Sequence, residues 1–99
     1  MDIKITIRGV KQTVAEVERE VSRVVDTIAN DTLEVAISKT PIDKGRARRG
    51  WNLDKGPGME RNISNRVPYI VHLEDGHSKQ APNGILGPTI REIAKRRYR

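Results

Sequence analysis

From Asp2 to Arg8 apolar and polar side chains alternate, with Ile3, Ile5 and Ile7 on one parity and Lys4, Thr6 and Arg8 on the other. A period of two carried by β-branched residues predicts a half-buried strand. From Val10 the period lengthens. Val10, Val14, Val17, Val21, Val24, Val25, Ile28 and Val35 fall within roughly a 100° arc when plotted at about 100° per residue. Glu16, Glu20, Arg23 and Glu34 lie on the other side. The pattern predicts one amphipathic helix. Asn30 and Asp31 both point off the stripe and leave its phase intact, so the helix is read as continuous. Thr40-Pro41 ends it, because a residue before proline is pushed away from helical angles.

A helix over residues 10–38 would be about 43 Å long at ~1.5 Å per residue. A compact chain of this size has a radius of gyration near ~13 Å. The helix therefore overhangs its own domain or lies along a partner. Leu33 and Ile37 form a second apolar face, with Ala29 and Ala36 between it and the valines. The C-terminal half reads as buried on two sides, by a wide core contact or by a neighbouring subunit.

Beyond the helix the signals shorten. Residues 47–54 place Ala47, Trp51 and Leu53 on one parity, and residues 59–67 place Ile63 and Val67 on one parity. Lys55-Gly-Pro-Gly58 is a turn signal between them, so a hairpin is predicted. Tyr69-Ile-Val-His-Leu73 is an apolar run that periodicity does not assign. From Gly76 to Gly87 no regular pattern is present. Structureless stretches of such length are uncommon in compact domains and are either functional or disordered. Gln80, Pro82, Ile85 and Leu86 are not linker composition, which favours a loop ordered against something, a neighbouring subunit being the simplest candidate. Pro88 is read as the first position of a last helix, with Ile90, Ile93 and Ala94 on one side. The expected fold is one α+β domain over residues 1–99. It has an N-terminal strand, one long helix packed on a small antiparallel sheet, a long ordered loop and a short C-terminal helix, followed by a basic tail at 95–99.

Composition narrows the function classes. The 99 residues are 35% hydrophobic, below the usual ~45–50%, and Trp51, Tyr69 and Tyr98 are the aromatic residues. A small aliphatic core fits these numbers better than a deep cofactor pocket, and no cofactor is expected. The absence of cysteine excludes disulfides, thiolate zinc sites and cysteine nucleophiles. No apolar run approaches the ~18 residues of a membrane span, and no signal-peptide pattern opens the chain, so neither a membrane location nor export is expected.

The net charge of +6 is divided unevenly. Residues 1–43 carry 6 basic and 8 acidic side chains, and residues 44–99 carry 13 and 5, giving −2 and +8. The excess concentrates in Lys44, Arg46, Arg48 and Arg49 and in Lys95, Arg96, Arg97 and Arg99. Such a half suits an anionic partner, nucleic acid or acidic protein, or simply a solvated face.

Candidate chemistry is thin. His72, Glu74, Asp75 and His77 crowd together, but helical two-histidine metal motifs need i, i+4 spacing and a third ligand. Gly76 argues that any helix ends before His77. A metal-dependent hydrolase is the least favoured reading. No nucleophile elbow, dinucleotide loop or phosphate loop is present, and a non-enzymatic role is expected. A small nucleic-acid-binding module is the alternative. It has the charge but lacks interleaved aromatics for stacking, and its long helix carries acids that repel phosphates.

Two segments carry a resemblance. Thr40-Pro41-Ile42-Asp43-Lys44-Gly45-Arg46-Ala47-Arg48 follows the long helix, with Trp51 closing the segment. Pro68-Tyr69 then leads to Leu73-Glu74-Asp75-Gly76-His77-Ser78-Lys79-Gln80-Ala81-Pro82-Asn83-Gly84. Over about residues 10–94 the chain resembles the minor tail, tail-completion and head–tail connector proteins of tailed bacteriophages and prophages. It departs from their pattern at Lys44, where threonine is common, and at Arg49-Gly50.

The resemblance implies a structural virion protein, made in the bacterial host cytoplasm and resident in the neck or tail. Such proteins are α+β and form homo-oligomeric rings, commonly hexamers, at the head–tail junction or the head-proximal end of the tail. A ring would join portal-side or adaptor connector proteins to tail-tube or tail proteins, around a channel that passes DNA without sequence-specific binding. On this reading Leu33, Ile37, His77, Ser78, Gln80, Ala81, Pro82, Arg96 and Arg97 are the candidate interface residues. Pro41, Asp43 and Gly45 form the turn from helix to sheet, with Asp43 bonding its own backbone and Gly45 taking a positive φ.

Overall fold

The computed structural model of the chain describes residues 2–42, 45–76 and 78–98. The elements run β1 (Ile3–Arg8), α1 (Ala15–Lys39), α2 (Arg46–Arg49), β2 (Trp51–Lys55), β3 (Glu60–Asn65), α3 (Ile70–Glu74) and α4 (Leu86–Ala94). The fold is α+β. The strands form an antiparallel sheet of order β1-β3-β2, α1 lies across it, and α4 packs beside α1. The expected strand, long helix, hairpin and short last helix are all present.

The register explains which residues are inside. Ile5 and Leu53 flank Ile63, and Ile3 and Trp51 flank Asn65, so one sheet face is apolar. That face meets Ala29 and Ala36 of α1 in a core completed by Ala47, Ile70 and Ile85. Alanine at 29 and 36 brings the helix backbone down onto the sheet, leaving Leu33 and Ile37 to pack at the core's edge. The other face is polar and paired across strands, as sheet stabilisation requires. Thr6 Oγ1 donates to Asn62 Oδ1 at 2.8 Å, and Arg8 Nε reaches Glu60 Oε1 at 3.0 Å. Hydrogen bonds from Asn62 and Arg8 hold the Glu60 carboxyl below its ordinary pKa.

Several sequence expectations are corrected. The helix begins at Ala15 rather than Val10. Gly9 N–H still donates to Met59 O, prolonging the sheet edge, and Gln12 Nε2 donates to Val10 O. Val14 is extended, with φ −96° and ψ 122°. Residues 9–14 thus bridge sheet to helix, and the first valines of the stripe are not helical. The strand expected over 47–54 begins only at Trp51. Gly45, at φ 74°, starts a single helical turn whose Arg49 N–H returns to Gly45 O. Ala47 is buried from that turn rather than from a strand. The strand expected over 59–67 stops at Asn65, because the Asn65 Oδ1 accepts from Val67 N–H and folds the chain away.

The run at 69–73 is largely the short helix α3. The last helix starts at Leu86, and Pro88 is its third residue. Proline is tolerated there because first-turn N–H groups have no intrahelical acceptor. Its buried face centres on Thr89, while Ile90 points outward. Continuity of α1 through Asn30-Asp31 and its end at Thr40 are as expected.

Twenty-five residues of α1 make about 37 Å of helix, in a molecule measuring 47 × 25 × 18 Å. Burial on α1 starts at Val25, and none of the described residues from Ala15 to Val24 is buried. Val10, Val14 and Val17 are 76%, 57% and 45% exposed. The N-terminal part of the stripe projects beyond the core that covers its C-terminal part.

Candidate functional site

The two segments that carry the resemblance meet at one corner of the fold, at the C-terminal end of α1. The last carbonyls of a helix lack intrahelical donors; here, residues of the first segment supply them. Thr40 N–H donates to Ile37 O, and Thr40 Oγ1 donates to Ala36 O at 2.6 Å. Arg48 donates through Nε to Thr40 O at 2.8 Å and through Nη2 to Ser38 O at 3.4 Å. The buried Trp51 Nε1–H donates to Thr40 Oγ1 at 2.8 Å. Thr40, Arg48 and Trp51 therefore form one hydrogen-bonded knot that turns the chain from α1 into the sheet. Asn65 Nδ2 secures the same corner by donating to Ala47 O.

The second segment is tied to the first by a single side chain. Gln80 Oε1 accepts from Ile42 N–H at 2.9 Å, and Gln80 Nε2 donates to Ile42 O at 3.1 Å. The amide thus pairs with Ile42 as a neighbouring strand would. Ser78 and Ala81 form an isolated antiparallel bridge, and Gln80 N–H donates to Ser78 Oγ. Glu74 Oε1 then accepts from both Ile85 N–H at 2.5 Å and Leu86 N–H at 2.9 Å, satisfying the first amides of α4. The 76–87 loop, for which a neighbouring subunit was the simplest expected support, is ordered in its described residues by the chain's own Ile42 and Glu74.

Between the segments lies an open depression of about 400 Å³, lined by Ser38, Lys39, Pro41, Arg48, Gln80 and Pro82 among others. Glu74, which the sequence offers as a possible metal ligand, is committed to capping α4. No group of three His, Cys, Asp or Glu that could hold a metal ion occurs among the described residues.

The candidate interface residues do not form one patch. Leu33 and Ile37 pack against the core, Ala81 is buried, and Ser78, Gln80 and Pro82 stand at the corner with Pro41. Gly45 takes the expected positive φ. His77 and Asp43 lie outside the described residues. Arg96 contacts Asp31 of α1 at 3.4 Å and Glu92 of α4 at 3.2 Å. Tyr98 Oη donates to Asp31 Oδ2 at 2.8 Å, and burial with that bond raises the phenol pKa, so it stays protonated at neutral pH. The described part of the basic tail is thus folded back on α1, leaving Arg97 exposed beside Val24 and Thr27.

Sequence reading missed the cap at Glu74 and the ion pair between buried Arg61 and Asp26 at 2.6 Å. Replacing Glu74 by alanine should cost about 1–2 kcal/mol, the usual range for a lost helix cap. Hydrogen exchange should accelerate at Ile85 and Leu86 and leave β3 unchanged. Unaltered exchange at those two amides would show that the carboxylate does not hold α4.

Comparison with protein-family models, with curated proteins and with solved structures returns no match.

Proposed function

We propose that the chain is a structural subunit of a bacteriophage neck or tail, assembling with copies of itself into a ring at the head–tail junction or the head-proximal end of the tail. In that position it joins connector proteins on the portal side to tail proteins, around the DNA channel, and catalyses nothing. The observation that carries this reading is the projecting half of α1. That half extends past the core that covers the rest of α1, with Val17 exposed on it and Val10 and Val14 exposed in the segment leading into it, and exposed apolar surface of this kind marks interaction sites.

The two motif segments support the reading in a second way. Thr40, Arg48, Trp51, Glu74 and Gln80 all spend their polar groups on the chain's own backbone and side chains. They form a rigid corner, as an assembly subunit requires, and none is aimed at a small-molecule substrate. Electron microscopy of the purified protein should give particles with rotational symmetry and an open centre. Particles without rotational symmetry at every concentration would overturn the ring.

A further inference from the structure

We infer that the projecting half of α1 docks on the outer face of α4 in a second copy of this chain, making a head-to-tail contact. The first surface is a valine stripe with acidic margins. At about 100° per residue, Glu18 and Glu20 stand roughly 90° and 70° to either side of the line through Val17, Val21 and Val24. Arg19 projects from the opposite side of the helix by the same geometry. Glu20 also contacts Arg23.

The second surface has the matching chemistry. Ile90 is 52% exposed, and Ala94, one turn on, is exposed beside it. Arg91 and Lys95, also one turn apart and exposed, run alongside. Neither has an ion-pair partner among the described residues. An apolar stripe edged by two glutamates faces an apolar pair edged by two cations. The valines meet Ile90 and Ala94, and because Arg91 and Lys95 lie on one side of that pair, the glutamate edging the same side of the stripe comes beside them.

One chain cannot close this contact on itself. Lys39 reaches Glu92 at 3.2 Å and Asp31 reaches Arg96 at 3.4 Å, so α4 runs antiparallel to the C-terminal half of α1. Ile90 therefore lies near the last turn of α1, and Val17 lies twenty-two residues back along it, about 33 Å away. Two unlike surfaces of one subunit make a heterologous contact, which closes into a ring or continues as a filament. The contact rests on the self-assembly proposed above, and it specifies the surfaces used.

Charge reversal with exchange tests it. Glu18→Lys with Glu20→Lys alters only the first surface, and Arg91→Glu with Lys95→Glu alters only the second. Each double variant alone should dissociate at least ~10-fold more readily than the natural chain in sedimentation velocity, since like charges are then apposed. Mixing the two variants should restore assembly, because each reversed surface then finds its complement. Far-UV circular dichroism must show both variants folded; if either is not, Glu20→Lys and Arg91→Glu replace them as single changes in the same exchange. Association of both variants at natural strength, a folded mixture that stays dissociated, or a natural chain that never self-associates would each overturn the contact. Closed rings indifferent to charge reversal would overturn the contact and leave the proposed function standing. Open filaments with full exchange behaviour would do the reverse.

Discussion

Trp51→Ala should lower the unfolding free energy by about 3–5 kcal/mol, the range for deleting a buried large aromatic side chain. Small domains have only about 5–15 kcal/mol in total, so the variant should be close to unfolding at physiological temperature. Two losses combine. The indole is part of the buried core together with Ala29, Ala36 and Ile70, and its Nε1–H is the donor to Thr40 Oγ1. Trp51→Phe keeps most of the volume and removes the bond, and should cost about 1–2 kcal/mol. Thr40→Val removes the same bond from the other side and also frees Ala36 O. The two changes together should cost less than their sum, because they share one interaction. Urea denaturation followed by circular dichroism measures all of them. A loss below about 1 kcal/mol for Trp51→Ala would contradict its place at the centre of the corner.

The second large effect is a contrast between two glycines. Gly84 and Gly58 both have positive φ, at 80° and 58°. A Cβ on Gly84 would stand 2.5 Å from Glu74 O, a backbone atom, whereas a Cβ on Gly58 would meet nothing within 4 Å. Gly58→Ala should cost only the left-handed penalty of about 1–2 kcal/mol. Gly84→Ala should add steric strain and reach about 3 kcal/mol, and should also separate Glu74 from α4. Thermal unfolding of the pair decides it. Equal costs would mean that Gly84 is selected by its turn alone and that the loop does not press on α3.

These effects mark the limit of what the sequence made legible. β1 and the phase of α1 were readable because each is a repeat carried by branched aliphatic residues along one element. The Lys55–Gly58 turn was readable because glycine and proline act locally. The one-turn helices α2 and α3 were not, because so few residues carry no period, and their existence depends on Gly45, on the Asn65 turn and on burial of Ala47 and Ile70. The start of α1 was misplaced because valines at 10 and 14 fit the stripe although no core reaches them.

The site was legible in part. Pro41, Gly45 and Gln80 stood out, but the contact between Gln80 and Ile42 spans thirty-eight positions. No window along the chain contains both. The same distance hid the pairing of Asp31 with Tyr98 and of Asp26 with Arg61. The sequence showed Gln80 and Arg96 only as candidate interface residues and gave no sign of the intrachain partners, Ile42 and Asp31, that engage them. The proposed contact instead uses the valine end of α1 and the outer face of α4.

Self-assembly is the central claim, and native mass spectrometry of the purified natural chain tests it most directly. The account predicts a discrete species at a whole-number multiple of 11.2 kDa, persisting on dilution in low salt and dissociating as ionic strength rises, because charges flank the contact. A chain that remains at the monomer mass in low salt, at every concentration, would contradict it.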